Sequence, residues 1–368
     1  MIIKQGMKMK RSYYNSVITA LATLLVACSI SHAQPVVKEY HKEYAAGLST
    51  TLDITNKYGD VNIDTWDQDK IVIDVKVSIE LPNRQRAEKY LSYINVEFAE
   101  NSDRISAKTI IDEKFSFSGW GSRSRKFSID YSVRMPSGSN LNLTNRYGNS
   151  VMDDVEGRVN LDIKYGNLKA GNLTRGNEKP INNLNLSYGK ASVIYAGWME
   201  ITTRYSGSIT LDKCQALLIN SKYSKINIGE TSSAVIESKY DNLRIGKINN
   251  LVLETGYSDV LIETLVRKLK LNAGYGSFAV ESIPRGFESL ETDTKYTGVK
   301  LGINDGASYM LDAKLSYGTL KYDKANFQYR KRIIENNSSE ITGTIGNEES
   351  PSSKVIINSI YGSVRLSE

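Results

Sequence analysis

The sequence predicts an all-β fold, a β-helix (β-solenoid) in which the chain winds through stacked coils, with an antiparallel sheet and one helix capping its N-terminal end. Three observations predict it. A tyrosine-centred segment occurs twelve times in the 368 residues. Each copy alternates apolar and polar residues with the period of a β-strand. The stretch between the first two copies breaks the pattern, and we assign it to the cap.

Each tyrosine-centred segment, here called a unit, has the form of LNLTNRYGNSV from Leu141 or LLINSKYSKINI from Leu217. The steps between tyrosines are 17 or 18 residues from Tyr188 to Tyr275, and then 21 residues twice. The final gap of 44 residues corresponds to two steps, with a polar insertion near residues 326–353 hiding one copy. The twelve tyrosines are Tyr58, Tyr147, Tyr165, Tyr188, Tyr205, Tyr223, Tyr240, Tyr257, Tyr275, Tyr296, Tyr317 and Tyr361.

Alternation within a unit predicts which side chains face the interior. Leu217, Ile219 and Ser221 share one parity with Tyr223, which predicts that the tyrosines form a ladder inside a corner of the coil. The Gly or Ser that commonly follows the tyrosine is expected to supply the permissive φ of that corner. Stacking coils at about 4.8 Å pairs their backbone groups. A right-handed crossover is the default for parallel strands.

The stretch between Tyr58 and Tyr147 predicts the cap. Strands are expected at residues 71–77, 104–111 and 127–133, and Asn83 is expected to cap a helix that runs through Ile94. Residues 115–125 are rich in Gly and Ser and predict a mobile loop. The expected domains are therefore residues 34–140, the first coil with the cap, and residues 141–368, the β-solenoid.

Residues 1–33 have the pattern of a signal peptide. Four cations precede a short apolar run from Val17 to Ala27, and small residues flank His32 before a cleavage site at Gln34. A second interpretation is a lipoprotein, because Leu25 to Cys28 fits the pattern before a lipid-modified cysteine. We expect no integral membrane span in the mature chain, because it has no apolar stretch that is long enough. We therefore expect an exported protein.

The charge balance bears on the partner. The whole chain carries +6, and four cations and no acid lie before residue 34, so the mature chain carries 6 − 4 = +2. This balance disfavours a nucleic-acid binder. The partners expected are an anionic envelope polysaccharide or another envelope protein.

The residues needed for common catalytic sites are scarce. The two histidines are His32 and His41, and Cys214 is the single cysteine of the mature chain. Neither a catalytic triad nor a zinc site can be assembled from this set, and we expect no enzyme activity, no cofactor and no metal. The acidic pairs Asp153–Asp154 and 348–349 are expected in solvated loops. The alternative is a polysaccharide-active enzyme that uses such carboxylates.

The residue before each tyrosine is expected to point outward and is basic in seven units. These residues are Lys57, Arg146, Lys164, Arg204, Lys222, Lys239 and Lys295. One interpretation is a solvated face of mixed charge, in which Asp162, Glu237, Glu254 and Asp293, two residues earlier, balance the cations. The other is a binding track for an anionic polymer, with Lys164, Arg204, Lys222, Lys239 and Lys295 as its candidate residues. The tyrosines have a second interpretation too, an exposed strip that stacks on sugar rings.

Three features together resemble the putative-adhesin, β-strand-repeat family of bacterial exported proteins. They are the segment YGDVNIDTW from Tyr58, the insertion that ends at Val133-Arg134-Met135-Pro136, and the Y-G-x-apolar units that follow. The resemblance implies a single-stranded, right-handed β-helix in the periplasm, at the outer membrane or on the cell surface. It implies no catalytic or binding residues. The expected function is a non-enzymatic, adhesin-like binding or scaffold module, with a periplasmic signalling partner as an alternative.

Overall fold

The computed structural model describes residues 34–116 and 126–366. The predicted signal peptide with Cys28 lies outside the described residues, as does most of the loop expected at residues 115–125. Within the described ranges the chain is all-β with one short helix, and its 23 strands are hydrogen-bonded into one sheet. The all-β prediction is confirmed.

The strands fall into three groups along the chain. The first group is β1 (Val36–Ala45), β2 (Thr51–Lys57), β3 (Val61–Trp66), β4 (Lys70–Glu80), β5 (Ile94–Asn101), β6 (Arg104–Ile111) and β7 (Lys126–Pro136), with helix α1 (Arg84–Leu91) between β4 and β5. The second is β8 (Asn140–Arg146), β9 (Ser150–Met152), β10 (Val159–Lys164), β11 (Leu168–Leu173), β12 (Asn182–Ser187), β13 (Lys190–Arg204), β14 (Ser208–Lys222), β15 (Lys225–Lys239), β16 (Asn242–Ile283), β17 (Ser289–Ile303), β18 (Tyr309–Ser316) and β19 (Thr319–Lys321). The third is β20 (Phe327–Glu335), β21 (Ser338–Ile345), β22 (Lys354–Ile360) and β23 (Ser363–Arg365).

Neighbouring units pair in parallel and in register on both sides of the tyrosine. In the first arm, before the tyrosine, Ile201 pairs with Ile219 and Ile219 pairs with Ile236. In the second arm, after the tyrosine, Leu211 pairs with Ile228. Each unit thereby satisfies the backbone donors and acceptors of the next one.

The buried side chains of successive units form one apolar core. Leu217 and Ile219 are buried, whereas Leu218 between them is 45% exposed, as the period of two requires. The same alternation runs through the second arm, where Ile226 and Ile228 are buried. Each fully buried Leu or Ile contributes about 1.5–3 kcal/mol, so the core is the main source of stability.

An antiparallel sheet covers the end of the stack at the Tyr58 unit. β6 and β7 pair in parallel with β2 and β3, the two arms of that unit. β5 then pairs antiparallel with β6, β4 with β7, and β1 with β4. The three strands predicted in this region are confirmed. The sequence did not predict β1 and β5, which form the outer edges.

Helix α1 is shorter than predicted. Asn83 caps it, since its side-chain oxygen accepts a hydrogen bond from the Arg86 N–H at 2.9 Å. The helix ends at Leu91, and Ile94 begins β5 instead of continuing the helix. The alternation of buried Ile94 and Val96 with exposed residues is that of a strand, and the antiparallel pairing with β6 stabilises it.

The order of the last units differs from the order in sequence. β22 pairs with β17 on one side and β18 on the other, so the Tyr361 unit lies between those of Tyr296 and Tyr317. Residues 326–353 hold no hidden copy of the unit. They form the hairpin β20–β21, which turns at Asn336 in a left-handed conformation that Asn tolerates, and β21 pairs antiparallel with β18.

Candidate functional site

The twelve tyrosines stack into a continuous column on the outside of the molecule. Neighbouring ring centroids lie between 4.7 and 5.3 Å apart, with at most 17° between ring planes. We call this feature the tyrosine column. Its order in space is Tyr58, Tyr147, Tyr165, Tyr188, Tyr205, Tyr223, Tyr240, Tyr257, Tyr275, Tyr296, Tyr361 and Tyr317.

Every tyrosine of the column has a left-handed backbone, with φ between 52° and 67°. This conformation costs an L-residue about 1–2 kcal/mol. Two interactions offset the cost. The N–H of Tyr205 donates to the Lys222 carbonyl at 3.0 Å, a bond that recurs between neighbouring units. Each stacked aromatic pair adds about 0.5–1.5 kcal/mol.

The glycine after the tyrosine has a different role from the one predicted. The positive φ expected there falls on the tyrosine itself, and among the glycines that follow a column tyrosine only Gly276 also has one, at 150°. Glycine is needed because the backbones approach closely: a Cβ on Gly148 would lie 1.8 Å from the carbonyl oxygen of Gly59, and one on Gly166 equally close to that of Gly148. The sequence signal was correct, but its physical cause is steric.

The prediction of an interior tyrosine ladder is wrong. From Tyr147 onward, the column tyrosines are between 41% (Tyr296) and 57% (Tyr317) exposed. The left-handed tyrosine shifts the alternation, so the next residue takes the inward position. In the Tyr223 unit, Ser221 and Ser224 are both buried and the tyrosine between them is turned out.

The column exposes ring edges and hydroxyls. Because nearly parallel rings follow one another with centroids only 4.9–5.0 Å apart, the faces inside the column have no room for a sugar ring between them. Sugar rings pack on aromatic faces, so the column does not offer the sugar-stacking strip of the second interpretation. What remains available is a row of phenolic hydroxyls, each able to donate or accept a hydrogen bond.

Six of the seven predicted basic residues lie in two groups beside the column. Arg204 pairs in register with Lys222, and Lys222 with Lys239. Lys164 pairs with Arg146, which pairs in turn with the lysine of the Tyr58 unit.

The seventh of these residues stands apart from the two groups. Lys295 has Gly274 on one side and Ile360 on the other. The structure therefore brings four of the five candidate residues of the track into the two groups and leaves Lys295 outside them.

Several of these cations contact the column directly. The Nζ atoms of Lys164, Lys222 and Lys295 lie 5.2, 5.4 and 5.6 Å from the ring centroid of the tyrosine that follows each of them. Such contacts contribute about 0.5–1 kcal/mol at exposed sites. They hold the positive charge at the edge of the column.

None of the seven cations makes an ion pair with a carboxylate in residues 34–116 or 126–366. Glu237, expected to balance them, instead accepts a hydrogen bond from the Asn220 amide at 3.1 Å. Like charges 4 Å apart repel by about 1 kcal/mol in bulk water and more near a protein surface. An anion bound to neighbouring cations of this set would relieve that repulsion.

Two further cations on the other side of the column were not predicted. Lys190 and Lys225 lie two residues after Tyr188 and Tyr223, and both are exposed. Their side chains point outward only because the left-handed tyrosine shifts the alternation of inward and outward residues. A search of the sequence for basic residues on both sides of each tyrosine would have found them.

An apolar groove lies on the same face as Arg204, Lys222 and Lys239, which we call the basic row. Leu218, Val235 and Val252 occupy paired outward positions in three consecutive units and are 45–47% exposed. They line a groove of about 690 Å³ that continues to Lys268 and Lys270. A ligand on the cations of these units would pass beside this groove.

The acidic pair Asp153–Asp154 is used within the structure. Asp154 accepts hydrogen bonds from the backbone N–H and the side-chain amide of Asn172, at 2.7 and 2.8 Å. These bonds lower the pKa of the Asp154 carboxyl. Asp153 accepts one from the Thr65 N–H at 3.4 Å. Asp154 is thus held ionised and does not have the raised pKa of a glycosidase acid.

No group of three His, Cys, Asp or Glu side chains in residues 34–116 and 126–366 could hold a metal ion. No helix in the same ranges has the length and apolar character to cross a bilayer.

No protein-family model and no curated protein matches the chain. Among solved structures, the chain is similar to a putative adhesin from Parabacteroides distasonis at 12% identity, over 70% of this chain and 93% of that one, with a TM-score of 0.33. A putative adhesin from Parabacteroides merdae is 10% identical over 90% and 97%, with a TM-score of 0.31.

A putative lipid-binding protein from Parabacteroides distasonis is 8% identical over 91% of this chain and 97% of that one, with a TM-score of 0.27. At TM-scores this low, such likenesses do not carry an argument about the fold or function.

Proposed function

We propose that this protein is a non-enzymatic, adhesin-like binding module of the bacterial cell envelope, which binds an anionic envelope polymer along the tyrosine column. The units form a right-handed, single-stranded β-solenoid in this proposal. The chain is exported to the periplasm, the outer membrane or the cell surface, with a lipid anchor at Cys28 as the alternative to cleavage before Gln34.

The in-register pairing of the units supports the solenoid. Both arms of a unit pair in parallel with the same arms of its neighbours, and the intervening tyrosine turns the chain at the same place each time. A chain that repeats one turn per unit accumulates length along a single axis, as solenoids do. Such a molecule presents long, regular faces, which suit a polymer better than a small ligand.

One observation carries the proposed binding: the basic row beside the column has no carboxylate partner among the described residues. Arg204, Lys222 and Lys239 lie on consecutive paired strands. Strands in a sheet are about 4.8 Å apart, so the row holds like charges close together. An anionic polymer offers a matching row of opposite charges and would release its counterions on binding.

A triple variant tests the proposal. Arg204→Glu, Lys222→Glu and Lys239→Glu together should lower affinity for polygalacturonate and lipopolysaccharide by at least about tenfold. Binding of the parent protein should weaken as salt rises, because the attraction between exposed charges is screened. Affinity would be measured by isothermal titration calorimetry at several salt concentrations.

A matched control keeps the change in net charge constant. Lys42→Glu, Lys89→Glu and Lys213→Glu change three exposed lysines, two of them in the cap, that do not flank a tyrosine of the column. This variant should bind like the parent protein. If the column variant also binds both polymers as the parent does, the proposed function is wrong.

Location is tested separately. Fractionation of cells and mass spectrometry of the mature N-terminus should give a chain that starts at Gln34, or a lipid on Cys28. A full-length chain in the cytoplasm would contradict the envelope proposal.

A further inference from the structure

We propose that the tyrosine column carries a polymer track of defined length, seven consecutive units from Tyr58 to Tyr240, and that the track fits one strand of a polyuronic acid. This inference rests on the function proposed above. It adds the two ends of the site and the chemical class of the polymer.

Every one of these seven units has a cation next to its tyrosine. In six units the cation comes directly before the tyrosine, and in the Tyr188 unit, where that position is Ser187, Lys190 supplies the charge from the other side. The Tyr223 unit has cations on both sides. In column order the cations are Lys57, Arg146, Lys164, Lys190, Arg204, Lys222 with Lys225, and Lys239.

The row of cations ends after Tyr240. In the next two units, glycines stand before the tyrosine, at Gly256 and Gly274, and the outward residues after it are Asp259 and Ser277. Lys295 is the one cation in either flanking position of the five units beyond Tyr240.

At the other end of the track, Phe127 packs on Tyr58 with ring centroids 5.8 Å apart. The cap therefore closes that end of the column. The track has limits at both ends.

The distance between neighbouring units indicates which polymer fits the track. Ring centroids in the seven units are 4.9 to 5.3 Å apart. The length of a pyranose linked through its 1 and 4 positions is of the same order, so a chain with one uronic acid per unit can follow the column. Lying over the hydroxyl edge, such a chain can reach a cation on either side of the tyrosine. The phosphates of duplex DNA recur about every 3.4 Å along a strand and lose this register.

Each unit also offers the hydrogen bonds that a uronic acid needs. The cation pairs with the carboxylate, and the phenolic hydroxyl of the tyrosine can donate to it or exchange hydrogen bonds with the sugar hydroxyls. The ring faces are covered by stacking, so recognition uses the edges of the column. The ligand would lie along the column with one sugar per tyrosine.

A length series tests the number of units. Oligogalacturonates of about two to twelve residues would be titrated into the full mature chain. Affinity should rise with each added sugar up to about seven and then level off, because further sugars meet units that have Gly256 and Gly274 in place of the cation. The fully methyl-esterified oligomer has the same backbone without charge and should not bind.

A matched pair of variants tests the ends. Lys190 lies inside the proposed track. Lys295 lies beside the column but outside the track, and each is replaced by glutamate. Lys190→Glu should weaken binding of the seven-residue oligomer by about tenfold. Lys295→Glu should leave it unchanged. Thermal melting of both variants would establish that they fold as the parent protein does.

The possible failures are distinguishable. If Lys295→Glu weakens binding as much as Lys190→Glu, or if affinity keeps rising well beyond seven sugars, the track of seven units is wrong. If lipopolysaccharide, polyphosphate or single-stranded DNA binds as tightly as polygalacturonate at equal salt, the polymer class is wrong and the proposed binding of an anionic polymer stands. If no polyanion binds, both proposals fall.

Discussion

The ring of Tyr361 stacks on that of Tyr296, with centroids 4.9 Å apart and 1° between their planes, although another tyrosine of the column separates them in sequence. The strand before Tyr361 enters the sheet between two units that the chain has already built. The unit of Tyr317 is therefore held one strand further out than its place in the sequence implies.

Disulfide trapping should report this order directly. Asp293 and Asn358 are paired positions on neighbouring strands, so their Cα atoms are about 4.8 Å apart and suit a disulfide. The double variant Asp293→Cys, Asn358→Cys should form an intramolecular crosslink on mild oxidation. Non-reducing electrophoresis and peptide mass spectrometry would detect it.

The control pair joins strands that would be neighbours if the units followed the order of the sequence. Asp293→Cys with Lys314→Cys places the two thiols two strands apart, at roughly 10 Å, which is too far for a disulfide. A crosslink in this pair, and none in the first, would contradict the observed order.

When a left-handed tyrosine of the column is replaced, glycine should destabilise the protein less than alanine does, which is the reverse of their usual order in strands. Tyr223 stacks between Tyr205 and Tyr240 at 5.0 and 4.9 Å. Tyr223→Ala should cost about 1–3 kcal/mol of unfolding free energy, since it removes two stacked contacts and keeps an unfavourable φ. Tyr223→Gly should be the less destabilised of the two, because glycine adopts this φ without strain.

Urea unfolding of the two variants would measure the difference. The control is Val235, an exposed strand residue without a left-handed backbone, where glycine should be worse than alanine. If Tyr223→Gly is also worse than Tyr223→Ala, then the backbone strain assigned to the column is wrong.

Asp241 should make stability depend on pH. It is buried beneath the column, at the position where the neighbouring units carry Ser224 and Ser258. Burial raises the pKa of its carboxyl, although the carboxylate accepts hydrogen bonds from the Ser224 N–H at 2.6 Å and the Ser238 hydroxyl at 2.8 Å. The folded protein therefore holds this proton more tightly than the unfolded chain does.

The sign of the effect follows from that linkage. A carboxyl with a raised folded-state pKa contributes stability below its ordinary pKa and loses that contribution as the pH rises through the raised value. The stability of the parent relative to Asp241→Ser should thus increase as the pH falls from about 7 toward 4. Chemical unfolding at several pH values would measure it, and a difference independent of pH would refute the prediction.

The pKa of His41, a residue of the cap, can be measured from a single imidazole signal. His41 is the one histidine after residue 33, and its Nδ1 lies 2.6 Å from the Asp74 carboxylate. The hydrogen bond to Asp74 is the main cause that raises the pKa of His41, with Glu43 a weaker one. Asp74→Asn should lower this pKa, and Glu43→Gln should lower it less, as measured by NMR titration of the imidazole. The reverse ranking would contradict the assigned contacts.

The sequence predicted the features that depend on alternation and recurrence. Leu217 and Ile219 are buried as their parity required, and the arms of neighbouring units pair in parallel. The strands β4, β6 and β7 and the N-terminal capping of helix α1 by Asn83 were also predicted, because strand alternation and capping signals are local. These features need no knowledge of what packs against them.

The errors have one physical cause, contacts between segments distant in sequence. A left-handed tyrosine is unfavourable by itself, and stacking with the rings of Tyr205 and Tyr240 is what compensates Tyr223. The outward position of Lys190 depends on the same turn. The insertion of β22 between β17 and β18 depends on pairing across more than sixty residues, which no local pattern encodes.

The position of the strand before Tyr361 also affects the order in which the sheet can form. Whether it leaves the ribosome or an export channel, the chain emerges with residues 289–321 ahead of residues 354–366. One edge of β17 therefore has no partner until β22 arrives. A bare parallel edge is a template for another chain. A nascent polypeptide that stalls between these two segments is therefore at greatest risk of aggregation, and chaperones acting on this protein would have their main task in that interval.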